Sequence, residues 1–325
     1  MIGYYVHHHG RGHLTRALAI TAHLDEDVVF FSSLPTPGGL RPRDRWVHLP
    51  MDVPPGGSAV YEPTAHGRLH WAPLHVDGLL RRSAELLCTL ADTGARRLVV
   101  DVSVEIAVLA RTSGVPVTVM AMPGERTDPP HQLAYRLADQ IIAPWSDAVY
   151  RPTWLAEHAE RTHFVGYLSR FEGRSREPGN HTSDNAVLLS GAGGTEMPDD
   201  AVTQLQAALP QYRWTALGGP SWTDDPWSAL RRAALVVTHA GQNALADAAA
   251  VATATIVLPQ PRPFDEQHTS AAALDAAGLA ICSPSWPTPQ RWAELACAAG
   301  ALDQGRWRAA RVDGAAARAA QVLAA

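Results

Sequence analysis

Residues 235–267 have the sequence LVVTHAGQNALADAAAVATATIVLPQPRPFDEQ. A short run rich in β-branched residues, LVVT, leads into an alanine-rich segment, and a second such run, ATIVL, follows it. Short apolar runs bounded by turn residues are typical of buried parallel strands, and the segment between them has the length and composition of a helix. We therefore predict a strand–helix–strand unit, with the first strand ending at His239 and the helix beginning near Gly241.

The same alternation of β-branched or aromatic runs with alanine- and leucine-rich segments extends over the whole chain. The predicted strands are 2–6, 28–33, 46–50, 97–101, 116–122, 140–145, 163–165, 186–190, 212–217, 235–239, 254–258 and 279–283. Helices fit between most of them, including 13–24, 76–92 and a last helix at 304–324. This rhythm predicts an α/β fold with doubly wound parallel sheets, in which ligands bind beyond the carboxyl ends of the strands.

The chain of 325 residues has room for two domains of roughly 150 residues each. The stretch 166–185 is polar, punctuated by Gly and Pro and without periodicity, which is typical of a linker. We predict Rossmann-like domains at 1–165 and 186–303 that face one another across a central cleft, followed by a C-terminal helix in 304–325. Residues 35–75 interrupt the rhythm with eight Pro and five Gly, and their aromatic and His content favours a site-lining role.

Composition excludes several classes of function. All 27 basic residues are arginine, so the chain has no lysine for a Walker A motif, a Schiff base or a pyridoxal phosphate anchor. The net charge is -5 and the arginines are scattered, so the sequence shows no cluster of positive charge suited to binding nucleic acid. Three Cys without CxxC spacing suggest neither disulfides nor zinc. The sequence shows no membrane span and no signal peptide, which predicts a cytoplasmic protein and leaves open a peripheral membrane contact.

A glycine-containing turn, Gly10-Arg-Gly-His13, follows the first predicted strand and opens a helix. It differs from a dinucleotide fingerprint because Thr15 occupies the place of the third glycine. The positive end of the helix dipole disfavours an imidazolium at His13, which predicts a neutral general base. Asp101 ends the strand RLVVD at the same edge of the sheet and is its candidate orienting acid. The alternative is that His13 only caps or packs the helix.

Two runs, one of histidines and one of acidic residues, are candidate metal sites. In a strand, His7 and His9 would share one face while His8 pointed away, and no further ligand group is visible nearby. The run Asp25-Glu-Asp27 precedes the second strand, at the end opposite the ligand edge, and is predicted to be a solvated turn. We therefore expect no metal and no other cofactor.

The second half carries the features suited to a nucleotide. A Gly-rich turn, Gly191 to Thr195, follows the first strand of this half and is suited to phosphate. The helix that begins near Gly241 can hold a diphosphate at its N-terminus. Asp247 lies one turn along that helix from Asn243, where it can accept hydrogen bonds from ribose hydroxyls. Glu266 and Gln267 follow the next strand and can bind the hydroxyls of a sugar.

These motifs resemble a known family. HAGQN at 239–243 with Asp247, and then PQPRPFDEQ at 259–267, resemble the donor-binding signature of UDP-sugar-dependent glycosyltransferases. GRGHLTRALAI at 10–20 resembles the glycine–histidine loop of the same group, the MurG and UDP-glucuronosyl- and glucosyltransferase superfamily. The resemblance extends over nearly the whole chain. It implies a GT-B fold and an inverting, metal-independent transfer of a sugar from a UDP- or dTDP-linked donor to an acceptor hydroxyl.

The resemblance also implies roles for individual residues. It assigns His13 and Asp101 as the catalytic base and its partner. It assigns the donor site to Gly12, Gly191, Gly193, Gly194, Thr195, His239, Gly241, Gln242, Asn243, Asp247, Glu266 and Gln267. Residues 35–75 and the loop from Pro123 to Arg126 should form the acceptor site, with Trp71, His75 and Arg126 as candidates.

The sequence departs from the family pattern at three positions, and alternatives to transfer stay open. Asp247 replaces the usual Glu, Ala244 replaces Ser, and Gln242 replaces the Trp of the plant enzymes. Because these positions belong to the donor site, the motifs define the type of reaction better than they define the donor nucleotide. The acceptor, whether small molecule, lipid or glycan, is not indicated. A nucleotide-sugar hydrolase or epimerase, or a non-catalytic sugar-nucleotide-binding subunit, are the alternatives on the same fold.

Overall fold

The computed structural model describes residues 1–54, 56, 59–174, 184–190, 196–218, 221, 223 and 225–325. The first half contains a parallel sheet of seven described strands in the order β3-β2-β1-β4-β5-β6-β7. These strands are β1 (Ile2–Val6), β2 (Val28–Ser32), β3 (Arg45–His48), β4 (Leu98–Asp101), β5 (Val117–Met120), β6 (Gln140–Ala143) and β7 (Thr162–Phe164). The helices between them are α1 (Gly12–Thr21), α2 (Asp77–Thr93), α3 (Val104–Thr112) and α4 (Pro129–Leu137), and a 3-10 segment (Thr153–Arg161) precedes β7.

The second half contains a parallel sheet of five described strands in the order β12-β11-β10-β8-β9. They are β8 (Asn185–Leu189), β9 (Arg213–Leu217), β10 (Leu235–Thr238), β11 (Ala254–Val257) and β12 (Ile281–Cys282). The helices are α5 (Ala201–Ala208), α6 (Trp227–Leu230), α7 (Gln242–Val251), α8 (Glu266–Ala276), α9 (Pro289–Ala301) and α10 (Ala315–Ala324), with 3-10 segments at Pro263–Asp265 and Gln304–Ala310. The predicted α/β fold with two parallel sheets is confirmed.

The central strands are buried on both faces, which explains why they appear in the sequence as continuous apolar runs. Every residue of β1, β4 and β10 is buried. Parallel strands covered by helices on both faces have this composition. The carboxyl ends of β1 and β4 are held together by parallel pairing that sets Val6 beside Asp101. This register brings the loop after β1 to the predicted catalytic acid.

The last helix belongs to the first sheet in space. Ala315, Ala319 and Leu323 of α10 are buried in one cluster with Ile2 and Ile20. Arg96 and Arg97 also donate hydrogen bonds to carbonyl oxygens in the last turn of α10, at 2.8–3.1 Å. Cations at this end complement the helix dipole. The chain therefore returns to its N-terminal half after completing the second sheet.

Some predicted boundaries need correction. The single helix predicted at 304–324 is divided, because Arg311 and Gly314 adopt left-handed backbone angles that end the 3-10 segment and start α10. Of the proposed linker 166–185, residues 166–174, 184 and 185 are described, and β8 begins at its last residue, Asn185. The predicted Gly191 to Thr195 turn lies outside the described residues. No helix in the described part of the chain has the length and apolarity needed to cross a membrane.

Candidate active site

His13 and Asp101 meet at the edge where β1 and β4 end. His13 Nδ1 lies 3.0 Å from Asp101 Oδ1, and the carboxylate is fully buried. Helix α1 starts after Arg11 without a side-chain cap, so His13 does not cap the helix. With its proton on Nδ1, the imidazole donates to Asp101 and leaves Nε2 free to accept a proton. The contact predicted from the strand ends is present.

A buried arginine that the sequence analysis did not single out completes this pair. Arg16 Nε donates to Asp101 Oδ2 at 2.6 Å, and its Nη2 donates to Asp101 Oδ1. Nη2 also lies 2.8 Å from His13 Nδ1, to which it can donate only in the tautomer with the proton on Nε2; with the proton on Nδ1, Asp101 is the partner of the imidazole. Arg16 is 4% exposed. Burial by itself raises the pKa of the Asp101 carboxyl, but the charges of Arg16 and His13 outweigh this effect and hold the pKa well below its usual range. Asp101 is therefore an ionised anchor for the imidazole.

The same arginine connects the two halves of the chain. Arg16 Nη1 donates to Gln242 Oε1 at 2.6 Å, so the first turns of α1 and α7 face each other. Gly12 lies against Asn243, where a Cβ would be 3.5 Å from Asn243 Nδ2. The His13–Asp101 pair thus lies beside the N-terminus of α7, which is the predicted diphosphate site.

A cavity of about 830 Å³ lies between these helix ends. Eight of the predicted site residues line it, namely Gly12, His13, His239, Gly241, Gln242, Asn243, Asp247 and Glu266. Residues 35–38 from the irregular segment of the first half form another part of its wall. The cavity has the size of a small-molecule site, and it collects residues from both halves of the chain.

His239 is held in one tautomer by the backbone. The Gly241 N–H donates to His239 Nδ1 at 2.9 Å, so the ring proton is on Nε2. Burial, together with the charge of Arg262, lowers the pKa of His239 to about 4, and the ring is neutral at neutral pH. Nε2 is buried and has no hydrogen-bond partner among the described residues. His239 lines the cavity, so this N–H lies just behind the cavity wall.

Asp247 is buried beneath the cavity and is already engaged by the segment that follows β7. Ser169 Oγ donates to its Oδ1 at 3.0 Å, and Arg170 contacts its Oδ2 at 3.1 and 3.2 Å. Burial raises the pKa of Asp247 to about 6, although Arg170 and Ser169 favour the ionised form. Arg170 also lines the cavity and was not identified from the sequence.

The two neighbouring residues Glu266 and Gln267 face in different directions. Glu266 lines the cavity, and burial raises the pKa of its carboxyl. Gln267 is 4% exposed, does not line the cavity, and accepts hydrogen bonds from the backbone N–H groups of Ala240 and Gln260 at 3.2 and 3.0 Å. Gln267 therefore joins the loops after β10 and β11, and of this pair only Glu266 faces the cavity.

A second cavity, of about 640 Å³, lies in the first half of the chain and adjoins the first one at His9 and Met122. Trp71 and Arg126, predicted for the acceptor site, line it, whereas His75 is exposed and lines neither cavity. Most of its surface is apolar, but ten of its 23 lining residues are polar or charged, among them His7 to His9, Asp52, Arg82 and Glu105. Phe264, from the second half of the chain, closes one side.

The polar edge of this second cavity is a cluster of His70, Asp128 and His131. His70 Nε2 lies 2.7 Å from Asp128 Oδ2, and His131 Nδ1 lies 2.6 Å from Asp128 Oδ1. Burial and the charge of Arg126 lower the pKa of His131 to about 4. With Nε2–H donating to Asp128, Nδ1 of His70 is left as an acceptor, and no described residue donates to it.

The triple-histidine run differs from its prediction. β1 ends at Val6, so His7, His8 and His9 are not on a strand, and their rings stack at 4.5–5.0 Å instead of alternating. Their nitrogens, and those of the cluster around Asp128, are close enough to hold a metal ion by distance alone. Asp27 and Glu26 pair with arginines at the opposite end of the sheet, as expected for a solvated turn.

Comparisons with known proteins agree with this geometry. Residues 215–286 match the glycosyltransferase family 28 C-terminal domain. The chain superposes on the glycotransferase of kitacinnamycin with a TM-score of 0.67 at 16% identity, covering 99% of this chain and 97% of that chain. It superposes on MurG of Acinetobacter baumannii with a TM-score of 0.64 at 16% identity, covering 100% and 99%.

A third similar structure is the spinosyn rhamnosyltransferase SpnG complexed with spinosyn aglycone, with a TM-score of 0.66 at 18% identity, covering 100% and 96%. SpnG complexed with thymidine diphosphate superposes with a TM-score of 0.62 at 17% identity, covering 100% of this chain and 96% of that chain. A search of curated protein sequences gives no match. The fold is that of the GT-B glycosyltransferases. Together with the match over residues 215–286, it supports a glycosyltransferase.

Proposed function

We propose that the protein is an inverting, metal-independent glycosyltransferase that moves a sugar from a UDP- or dTDP-linked donor to an acceptor hydroxyl. The observation that carries the proposal is the position of the His13–Asp101 pair. His13 lines the 830 Å³ cavity beside the N-terminus of α7, and Arg16, which holds Asp101, contacts Met122, one of the residues at which the two cavities adjoin. A base between an anion site and a second pocket is what transfer to a hydroxyl requires.

In the proposed reaction, the acceptor oxygen attacks the anomeric carbon from the face opposite the diphosphate. Its proton passes to His13 Nε2 while the bond between the anomeric carbon and the diphosphate oxygen breaks. The electron pair of that bond leaves on the diphosphate. Asp101 stabilises the imidazolium that forms, and Arg16 keeps Asp101 ionised and in place.

The departing diphosphate meets several groups that favour negative charge. The first backbone N–H groups of α7 are unpaired within the helix and carry the positive end of its dipole. His239 Nε2–H adds a neutral donor, and Arg170 adds a cation on the cavity wall. These groups support leaving-group stabilisation without a metal ion. The thymidine diphosphate bound in SpnG supports including dTDP among the donors.

Two measurements on purified protein test the proposal. Calorimetry with TDP and UDP should give binding that His239→Ala weakens, with the exposed His66→Ala as a matched control. Incubation of UDP- and dTDP-sugars with a panel of hydroxyl acceptors should release nucleoside diphosphate together with a glycosylated product, and excess EDTA should not change the rate. Release of diphosphate with free sugar as the only product would indicate a hydrolase. Strict dependence on added magnesium or manganese would contradict metal independence.

A further inference from the structure

The turn from Pro263 to Glu266 contacts both cavities at once. Glu266 lines the 830 Å³ cavity, and Phe264, two residues earlier, lines the 640 Å³ cavity in the other half of the chain. Phe264 is 37% exposed, although it is a large apolar side chain, and the surface it exposes lies on a mostly apolar cavity. An aromatic ring left uncovered at such a wall is suited to contact a ligand.

The backbone of this turn is held in an unfavourable conformation. Phe264 has φ 60° and ψ 25°, and Asp265 has φ 54° and ψ 29°, so two consecutive residues other than Gly are left-handed. Residues of this kind rarely adopt such angles, and they persist where their surroundings impose them. The turn is anchored because the Glu125 N–H donates to the Phe264 carbonyl at 2.7 Å. Gly124 permits this approach, since a Cβ there would lie 2.3 Å from the same oxygen.

The ring of Phe264 extends an aromatic wall that the first half of the chain provides. The Arg126 guanidinium lies over the ring at 4.6 Å, the His131 ring meets it edge-on at 4.6 Å, and the His70 ring lies at 5.3 Å. Beyond His131 the wall continues with Tyr135, which stacks on it at 6.2 Å. The wall is therefore aromatic, but the rings of His70, His131 and Phe264 meet at 53–88°, so they offer both faces and edges to a ligand, with His70 Nδ1 as an acceptor beside them.

We propose that Phe264 is the acceptor-specificity residue, and that its ring completes a site for planar, largely apolar molecules bearing hydroxyl groups. The inference rests on the proposed function, because it assigns this cavity to the acceptor. Aromatic faces prefer flat ligands that stack or pack edge-on, whereas a saturated ring system of equal size makes fewer close contacts with them. A hydroxyl of the ligand donates to His70 Nδ1, and another lies toward His13 for transfer.

The test uses two neutral probes of similar size. They are 4-methylumbelliferone, which is planar and carries a phenolic hydroxyl, and menthol, which is saturated and carries one hydroxyl. Calorimetry on the full chain should show that wild-type protein binds 4-methylumbelliferone more tightly. Phe264→Ala should reduce this preference by about tenfold, since an aromatic pair contributes up to about that factor beyond its buried area. Phe264→Tyr should retain the preference.

Two further variants keep the result interpretable. Phe264→Gly removes the ring and suits the left-handed backbone, so it should lose the preference without loss of folding. Leu133→Ala removes an apolar side chain of equal exposure, 37%, that does not line the cavity, and it should behave as wild type. Equal binding of both probes by wild type, no binding of 4-methylumbelliferone, or an unchanged preference in Phe264→Gly would overturn the inference.

Binding of the probes does not require catalysis, so this inference and the proposed function can fail separately. If the preference depends on Phe264 but no sugar is ever transferred, the planar-ligand site stands and the transferase assignment fails. If sugar is transferred to hydroxyl acceptors while Phe264→Gly leaves the choice among them unchanged, the transferase stands and the specificity role of Phe264 fails.

Discussion

Replacement of Arg16 by Met provides the most direct test of the catalytic pair. Arg16 is 4% exposed and is the basic residue that contacts both oxygens of Asp101, which is itself fully buried. Met preserves much of the side-chain volume beside Met122, whose sulfur lies 3.3 Å from Arg16. The substitution therefore removes mainly the charge and the hydrogen bonds.

The loss of stability in Arg16→Met depends on the Asp101 carboxylate, which stays buried without its counter-charge. Removing one partner of a buried ion pair leaves an uncompensated buried charge and costs about 3–5 kcal/mol. For a chain of 325 residues, with an unfolding entropy of about 0.7 kcal/mol/K, such a loss lowers Tm by roughly 4–7 °C. A surface pair such as Arg81 with Asp77, both more than 70% exposed, contributes roughly 0–1 kcal/mol, so Arg81→Met is the matched control.

The pH dependence has a defined sign. In the wild type the folded-state pKa of Asp101 is depressed, so its stabilisation is present above the unfolded pKa and is lost as pH falls below it. In Arg16→Met the carboxyl is buried without its cation, which raises its folded-state pKa. The difference in stability between the two proteins should therefore be largest at neutral pH and should shrink as pH falls toward 4.

Urea unfolding at pH 7.5 and pH 5, together with turnover at pH 7.5, would measure these effects. The double variant Arg16→Met with Asp101→Asn should be less destabilised than the sum of the single variants, because both charges are then absent. Turnover should fall with each substitution. If Arg16→Met were no less stable than Arg81→Met, or if the double variant were additive, the assignment of Arg16 as the counter-charge of Asp101 would be wrong.

Three further predictions concern the donor site and the base. His13→Ala should reduce turnover by about 10²–10⁴ while calorimetry shows nearly unchanged TDP binding; a variant with wild-type turnover would exclude His13 as the base. His239→Ala should weaken TDP binding by about 10- to 100-fold, since a hydrogen bond to a charged group contributes about 1.5–3 kcal/mol, and unchanged affinity would show that His239 does not contact the diphosphate. Burial raises the pKa of Asp247 from 3.8 to about 6. Between about pH 4 and 6 the folded protein therefore keeps a proton on Asp247 that the unfolded chain has lost. The contribution of this proton to the free energy of unfolding decreases as pH rises through that range. Asp247→Asn should flatten that slope in unfolding titrations, and an equally steep slope in the variant would refute the shift.

The strands could be predicted because they depend on local sequence patterns. The His13–Asp101 contact could be predicted because it depends on one general rule of parallel sheets. Each strand of a sheet covered on both faces is a short apolar run, as in LVVD at 98–101, where all residues are buried. The His13–Asp101 contact follows from the rule that parallel strands end at one edge. The observed register of Val6 with Asp101 is an instance of that rule.

Other parts of the site depend on orientations that the sequence does not encode locally. Arg16 is one of 27 arginines, and its contact with Gln242 joins residues 226 positions apart. Adjacent helical residues point about 100° apart, so which of Glu266 and Gln267 faces the cavity depends on how α8 starts, and it starts after the left-handed Asp265. The clustering of the His7, His8 and His9 rings could not be anticipated, because these residues follow the strand that ends at Val6, and no periodicity fixes side-chain directions in an irregular loop.

The return of α10 to the first sheet has a consequence for folding during synthesis. The cluster that contains Ile2 and Ile20 is closed by Ala315, Ala319 and Leu323, and these residues are translated only after the whole second sheet. Domains usually fold in the order in which they emerge from the ribosome. Here the first sheet emerges first, but the apolar face that α10 covers stays uncovered until the second sheet and α10 have been made. The N-terminal half therefore completes its core only after the residues of α10 have been made.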